Sequence, residues 1–153
     1  MQKPKVFPLL RDSYLAVIDN SVGSSLFRNL YAEVDGEKKD IMDNGDLSCA
    51  FFTSSILALF KLVKETHATV DGTVRDLQES GWKIIKEPKI GAVLVWEKAD
   101  FTNDGLHKHV GFYVENEKAI SNSSKEKSPT KHHWTFNGER KVEMIFWNEK
   151  LEV

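Results

Sequence analysis

The sequence has a single cysteine, Cys49, among 153 residues. One cysteine cannot form an internal disulfide, so a free thiol or an intermolecular bond remains, and we expect the free thiol. Charge of one sign is not in excess either, because 21 basic residues face 23 acidic ones and the net charge is -2. Such a balance creates no broad field for nucleic acid or an anionic membrane, and we expect neither as a partner.

Long hydrophobic runs are also missing. The longest, from Ala50 to Val63, is interrupted by serines, a threonine and a lysine, and it is shorter than the roughly 20 apolar residues of a membrane-spanning helix. The amino terminus, MQKPKVFPLLRDSY, has too short an apolar stretch for a signal peptide and contains two prolines. We therefore expect a cytoplasmic protein, or an exported one if this chain is a mature or truncated form.

The composition of the sequence is that of a folded protein. Hydrophobic residues make up 41% of the sequence and charged residues 29%, which is the composition of an ordinary globular domain. A chain of this length can bury roughly two-thirds of the surface that it exposes when unfolded. We predict one domain over residues 1–153, with residues 1–40 as an amino-terminal extension packed on the remainder.

Helical patterns occupy the first half of the sequence. Apolar residues recur on nearly every side of a helix from Leu47 to Val63, which predicts a helix that is buried all around. The segment DGTVRDLQESGW predicts a second helix, capped by Asp71 and ended by Gly81. A short helix is expected around Tyr14 to Ile18, and the apolar piece at 26–34 is followed by a polar turn, DGEKKD.

The pattern changes to that of β-strands in the second half. Six short stretches are rich in β-branched and aromatic residues and are separated by turn residues: 82–85, 91–97, 109–115, 118–122, 134–136 and 141–147. We predict that they form one antiparallel sheet, with the polar segment 121–133 as an exposed loop. Helices followed by strands predict an α+β domain with the helices packed on one face of the sheet.

Cys49 has two interpretations. Free cysteines are among the most buried residue types, so an inert core position is the common one. The first turn of a buried helix favours a nucleophile instead, because unpaired N–H groups and the helix dipole stabilise a thiolate and lower its pKa. The same N–H groups can hold the oxyanion that forms when a thiolate attacks a carbonyl.

A thiolate nucleophile needs an imidazole partner, and His109 is the candidate. It opens the strand HVGFYV on the face opposite Val110 and Phe112, and Gly111 leaves space beside its ring. The alternative is a strand-edge histidine that bonds to a loop.

The other four histidines are given no catalytic role. His67 is interpreted as a helix-end residue and His107 as a loop residue. His132 and His133 are adjacent, which is poor spacing for metal ligands. We therefore expect no metal site, and nothing in the sequence indicates a cofactor.

Three stretches, taken in order, resemble the NlpC/P60 cysteine peptidase superfamily. They are a cysteine that opens a buried helix (LSCAFF), a glycine-led strand after a proline (PKIGAVLVWE) and a histidine that opens the next strand (HVGFYVENEKAIS). The resemblance covers residues 44–147 and implies that they form a catalytic core with a papain-like fold. The sequence departs from the family's pattern at Ala92 and Ser48, where the family usually has aspartate.

The resemblance also implies roles for single residues. Cys49 would be the nucleophile and His109 its base, with a third polar residue on the following strand orienting the imidazole. The family's third residue, commonly histidine, falls by direct register on Ser121. Asn122 has a better acceptor, although strand alternation points it away unless a bulge intervenes. Asn122 is our first choice for this role and Ser121 is the alternative.

The function that the resemblance implies is hydrolysis of amide bonds in bacterial cell-wall peptides, through an acyl-enzyme. A non-catalytic peptide or glycan binding module on the same fold is the alternative from another class. An acyltransferase or thioesterase-type amidase would use the same acyl-enzyme. A peptide or peptidoglycan fragment is thus the expected partner, and the oligomeric state is left open.

Overall fold

The computed structural model describes residues 1–99 and 106–153. Its helices and strands, in chain order, are α1 (Leu10–Asn20), β1 (Tyr31–Val34), β2 (Glu37–Asp40), α2 (Cys49–Leu59), α3 (Val70–Glu79), β3 (Lys83–Ile84), β4 (Val93–Ala99), β5 (His107–Tyr113), β6 (Lys118–Ser123), β7 (Ser128–His133), β8 (Val142–Trp147) and a 3₁₀ helix (Glu149–Leu151). Within the described ranges, none of the helices has the length and apolar content needed to cross a bilayer.

Six strands form one antiparallel sheet in the order β3-β8-β4-β5-β6-β7, and β1 and β2 form a separate hairpin. The predicted α+β class with antiparallel pairing is therefore confirmed. The buried segments of the sheet lie at 93–96 in β4, 110–112 in β5 and 119–122 in β6. Strand β5 pairs with β6 only at Phe112 and Tyr113, so the backbone of His109 is fixed by its pairing with Trp96 of β4.

Helix α2 packs across β5 and β6. Phe52 meets Phe112 of β5 edge-on, with ring centroids 5.6 Å apart, and both rings are fully buried. One turn is also tied to the strand directly, because the Thr53 hydroxyl donates to the Val110 carbonyl at 3.3 Å. Each buried phenylalanine contributes roughly 1.5–3 kcal/mol. These contacts hold the first turn of α2, with Cys49 at its start, against β5.

Helix α1 belongs to the same core. Tyr14 and Ile18 are fully buried, and the Tyr14 ring lies edge-on to Phe112 at 5.8 Å. The Tyr14 hydroxyl donates to the Gly91 carbonyl at 2.8 Å, and burial raises the pKa of this phenol well above its ordinary value. The helix expected around Tyr14 to Ile18 is thus present and extends further at both ends.

The prediction for residues 121–136 is wrong. The segment expected to be a loop contains β7, which pairs with β6 from Ser123↔Ser128 to Lys118↔His133, and residues 134–136 form a turn. The polar sequence SPTKHH is tolerated because β7 is an edge strand, where proline and charged residues are common. The DGEKKD turn is also more ordered than expected, since its last four residues form β2.

The helix boundaries differ from those predicted. Helix α2 ends at Leu59, and Lys61 then adopts a left-handed φ of 57°, so the helix does not continue to Val63. Helix α3 is capped by Thr69, whose hydroxyl accepts the Gly72 N–H at 3.0 Å. Asp71, the expected cap, lies in the first turn instead. An extended residue just before a helix is well placed to cap it, whatever follows.

A buried carboxylate ties the segment after α2 to α3. Asp76 accepts the N–H groups of Lys64 at 3.0 Å and Glu65 at 3.2 Å and the Ser80 hydroxyl at 2.8 Å, and its Oδ2 lies 2.7 Å from His67 Nε2. Burial alone would raise the pKa of Asp76, but the bonds from His67 and the Lys64 N–H outweigh it and lower the pKa from 3.8 to about 2. The cluster thereby holds in place the chain that leads to residues 68–71.

We predict that replacing Asp76 removes an acid-sensitive part of the stability. Because its folded pKa lies below the unfolded one, Asp76 stabilises the fold above about pH 4 and loses this effect as the pH falls towards 2, about 2 kcal/mol in all. The Asp76→Asn variant should lose about 2 kcal/mol near neutral pH, because an amide group cannot accept all of these donors. Urea unfolding followed from neutral pH to about pH 2 measures both effects.

The matched control is Glu79→Gln. Glu79 lies in the same helix and forms an exposed ion pair with Lys64 at 3.1 Å. Exposed pairs contribute about 0–1 kcal/mol, so the control should unfold almost as the wild type does. Equal losses in the two variants would contradict the assignment.

Candidate active site

A cleft of about 810 Å³ opens at the amino-terminal end of α2, beside β5, β6 and β7. All four residues singled out in the sequence line it: Cys49, His109, Ser121 and Asn122. His132, Phe136 and Arg140 line it too, and none of the three is predicted from the sequence to lie there. The structure thus brings the predicted residues to one cavity and adds three neighbours.

Cys49 is the first residue of α2 and is half-buried. Backbone N–H groups of Val110 and Ala50, and the cysteine's own N–H, act to lower the pKa of its thiol. Ser48, the residue at the cap position, makes no capping bond with its side chain, so the first-turn N–H groups remain for the thiol. Since Val110 directly follows His109, the sulfur lies beside the strand that carries the histidine.

The charge state of the cysteine differs from the one expected. Burial raises the pKa of the Cys49 thiol above its ordinary value, and the N–H groups of Val110 and Ala50 and the charge of Arg140 offset this only in part. Burial likewise lowers the pKa of His109 well below its ordinary value, with Arg140 and His132 adding to the effect. Both shifts favour the neutral forms of the two groups near pH 7.

His109 is held in place from two sides. In β4, Trp96 is its direct cross-strand partner, and the two rings lie 5.2 Å apart between centroids. Trp96 is itself fixed by a 2.8 Å bond from its Nε1 to the Trp134 carbonyl. From β6, the Ser121 hydroxyl lies 2.8 Å from His109 Nε2. This leaves Nδ1 as the ring nitrogen that can serve the thiol.

The structure places Ser121, and not Asn122, against the imidazole. Strand β6 pairs with β7 in continuous register over Lys118–Ser123, whereas the choice of Asn122 required a bulge. Asn122 points to the opposite side, where its buried amide donates to the Gly45 carbonyl at 2.8 Å. Our first choice for the orienting residue is thus wrong in its placement, and the alternative occupies the position.

Asn122 instead supports the loop that leads into α2. Asn122 bonds to Gly45 of this loop. The loop is also held by Lys127, whose ammonium lies 2.5 Å from the Asp46 carboxylate. A side chain at Gly45 would meet Lys127 Cβ at 2.8 Å, which shows how closely the two segments approach. Asn122 therefore helps to position the start of the cysteine helix.

His132 is a site residue that the sequence did not reveal. Its Nε2 lies 2.7 Å from the Ser121 hydroxyl, on the other side from His109, and its Nδ1 lies 2.7 Å from the His133 carbonyl. Phe136 stacks on its ring at 4.1 Å between centroids and 13° between planes. Recognising β7 as a strand would have found it, because alternation then places His132 on the same face as Ser121.

Arg140 is the second residue that the sequence did not reveal. It is 6% exposed, and its guanidinium donates to the Glu97 carbonyl at 3.0 Å and to the His107 carbonyl at 2.6 Å. These bonds join the end of β4 to the start of β5. Its charge acts on Cys49 and lowers the pKa of that thiol.

No metal centre is apparent in the part of the chain that the structure describes, since no three histidine, cysteine, aspartate or glutamate side chains there are grouped to hold an ion.

Gly111 permits the contact between His109 and Ser121. A Cβ at this position would lie 2.7 Å from both the Ile120 carbonyl oxygen and Ser121 Cβ. Both distances are shorter than van der Waals contact, and one of them involves backbone. The space expected beside His109 is therefore filled by β6.

We predict that Gly111→Ala destabilises the protein by about 2 kcal/mol, because β6 must move away from β5. The same movement should lengthen the contact between His109 and Ser121. Urea unfolding measures the first effect, and the NMR signals of the His109 ring measure the second. Gly138→Ala is the control, since its Cβ would meet nothing within 4 Å and only its φ of 83° is strained, at a cost of about 1 kcal/mol. An unchanged His109 spectrum in Gly111→Ala would contradict the prediction.

We also predict that Arg140→Met raises the pKa of the Cys49 thiol further, because the charge that lowers it is lost. The rate of alkylation by iodoacetamide, followed by mass spectrometry as a function of pH, should shift to higher pH. Arg140→Lys is the matched control, since it keeps a positive charge and should stay close to the wild type. Identical pH profiles for all three proteins would show that the charge has no effect on the thiol.

No family model matches the sequence of this chain, and no curated protein matches it either.

Proposed function

We propose that this protein is a cysteine-dependent amide hydrolase of the NlpC/P60 type that acts on cell-wall peptides through an acyl-enzyme. One observation carries the proposal. Cys49, at the start of α2, and His109 line the same cleft, and the Ser121 hydroxyl lies 2.8 Å from His109 Nε2. The N–H group of Val110, the residue after His109, acts to lower the pKa of the Cys49 thiol. A nucleophile, a base and an orienting group are the parts that such a reaction requires.

The first step is attack on the substrate amide. His109 Nδ1 takes the thiol proton while the sulfur forms a bond to the carbonyl carbon. The negative charge that develops on the carbonyl oxygen can be stabilised by N–H groups in the first turn of α2. His109 then gives the proton to the amide nitrogen, the C–N bond breaks and the amine leaves. Water, deprotonated by His109, attacks the thioester and releases the acid and the thiol.

The neutral resting pair decides how the proton moves. Because burial raises the pKa of Cys49 and lowers that of His109, the proton leaves the sulfur during the attack and not beforehand. Charge then appears only in the transition state, where the N–H groups around the sulfur and oxygen are already in place. Groups directed in this way stabilise the transition state more than the resting enzyme.

The lining of the cleft supports a substrate with carboxylate groups. Among the described residues that line it, four are cationic and two are anionic: Lys98, Lys108, Lys125 and Arg140, against Asp46 and Asp71. Asp46 is already paired with Lys127, and the Arg140 guanidinium is bonded to the Glu97 and His107 carbonyls, so three lysines and Asp71 remain. An apolar wall, which includes Ile41, Met42 and Leu47, accompanies these charges. Cell-wall peptides combine carboxylates with short apolar side chains, and they fit this lining.

A binding module is the second candidate, and one observation favours it. Burial raises the pKa of Cys49 and lowers that of His109, which disfavours a thiolate and imidazolium pair. A cleft that only binds peptide would need neither ionised form. Binding of the same fragments without turnover is the result that would establish this candidate.

The test is hydrolysis of soluble peptide fragments from digested peptidoglycan. We expect the wild type to release new amines, and Cys49→Ala to lose activity by roughly 10⁴-fold or more. His109→Ala should lose a comparable factor, because the two residues act as a unit. Mass spectrometry of rapidly quenched reactions should show an acyl group on Cys49.

His133→Asn serves as the control, since an amide oxygen can replace the ring nitrogen that accepts the Thr135 N–H. It should retain nearly full activity. Full activity in Cys49→Ala would overturn the mechanism, and fragments that bind without being cleaved by the wild type would overturn the enzyme assignment.

A further inference from the structure

The positions of the protons around Ser121 follow from one backbone carbonyl. His132 Nδ1 lies 2.7 Å from the carbonyl oxygen of His133. A carbonyl can only accept a hydrogen bond, so Nδ1 must carry the proton. In a neutral imidazole the other nitrogen is then an acceptor. His132 Nε2 therefore accepts, and its partner at 2.7 Å, the Ser121 hydroxyl, must donate to it.

The same reasoning passes through Ser121 to the base. A hydroxyl has one proton, and that of Ser121 is committed to His132. Its oxygen can still accept, and His109 Nε2 lies 2.8 Å away. His109 Nε2 must therefore carry a proton and donate it to Ser121. In neutral His109 this leaves Nδ1 unprotonated, which is the form that can take a proton from the thiol.

We propose that His132 is a positioning residue that fixes the tautomer of His109 through the Ser121 hydroxyl. The inference deepens the proposed function and rests on it, because the tautomer matters only if His109 acts as a base. His132 touches neither the thiol nor the substrate in this scheme. It acts by determining which way the Ser121 hydroxyl points.

The surroundings of His132 suit this role. Phe136 stacks on one face of its ring at 4.1 Å, and Trp96 lies 5.7 Å away between centroids, so the ring cannot turn freely. Burial lowers the pKa of His132, and the charges of His133 and Lys118 add to this, against the bond to the His133 carbonyl, which raises it. His132 is therefore neutral near pH 7, as an acceptor at Nε2 must be.

The reversed arrangement would disable the base. If His132 carried its proton on Nε2, it would donate to Ser121, and Ser121 would have to donate to His109 Nε2. Neutral His109 would then be protonated on Nδ1 and could not accept the thiol proton. Four charged or titratable groups act on the two rings. His133 and Lys118 lie near His132, and Arg140 and Cys49 lie near His109.

The test is long-range ¹H–¹⁵N NMR of the histidine side chains in the full chain, with single variants to assign the signals. We expect neutral His109 to carry its proton on Nε2 and neutral His132 to carry it on Nδ1. The two residues thus have opposite tautomers. The inference would be overturned if both histidines carried the proton on Nε2, or if His109 carried it on Nδ1 and His132 on Nε2.

Two variants test whether His132 controls His109. His132→Phe keeps a ring to stack on Phe136 but removes the acceptor, and Ser121→Ala removes the bridge. In each, His109 should become a mixture of the two tautomers, and kcat should fall about 10-fold with KM unchanged. His133→Asn keeps the backbone carbonyl and should leave both tautomers as they are. A pure Nε2–H form of His109 in His132→Phe would overturn the positioning role.

The NMR measurement needs no turnover, so the two proposals can fail separately. If the tautomers are mixed or reversed in the wild type while fragments are still hydrolysed, only the inference fails. If the tautomers are as expected and the wild type hydrolyses no fragment, only the proposed hydrolase activity fails.

Discussion

The close approach of β5 and β6 at Gly111 is the constraint on which the candidate site depends. With no Cβ at Gly111, the backbone at Ile120 and the side chain of Ser121 come near enough that a methyl group would have only 2.7 Å. Ser121 has a short side chain, and it reaches His109 because the strands are this close. A serine can replace a longer orienting residue here since the backbone supplies the missing reach.

Apolar packing fixes the other half of the site. Helix α2 is held on β5 by buried contacts such as that of Phe52 with Phe112, and these bring Cys49 and His109 to the same cleft. The same packing removes water from the thiol and the imidazole, which disfavours their charged forms. A thiol with a raised pKa reacts more slowly at rest, yet its thiolate is the stronger nucleophile once formed. Burial therefore lowers the reactivity of the resting thiol. In the proposed mechanism, the thiol reacts once His109 removes its proton.

The sequence predicts those parts of the fold and the site that depend on local periodicity. The helix that begins at Cys49, the strand that carries His109 and the register that selects Ser121 follow from spacings of 3.6 and 2 residues. Asn122 has the better acceptor, but strict alternation turns it away from His109, so its chemistry alone predicts the wrong residue. The place of His132 follows from alternation only once SPTKHH is recognised as a strand, which its polar composition hides. The contacts of Arg140 depend on how the segment after β7 folds back, and local pattern does not contain that information.

The edge strand β7 shows why polar sequence misleads in this case. SPTKHH lacks the β-branched and aromatic residues of a typical strand, but an edge strand needs only one paired side and can have polar residues on both faces. Its pairing with β6 is what carries His132 to Ser121. In the proposed arrangement, His132 acts on His109 from one strand further out, through the Ser121 hydroxyl. The direction of that hydrogen bond is set by the His133 carbonyl, which cannot itself be protonated near neutral pH. An imidazole held in this way requires no buried carboxylate to select its tautomer, so the site avoids the cost of removing a carboxylate from water.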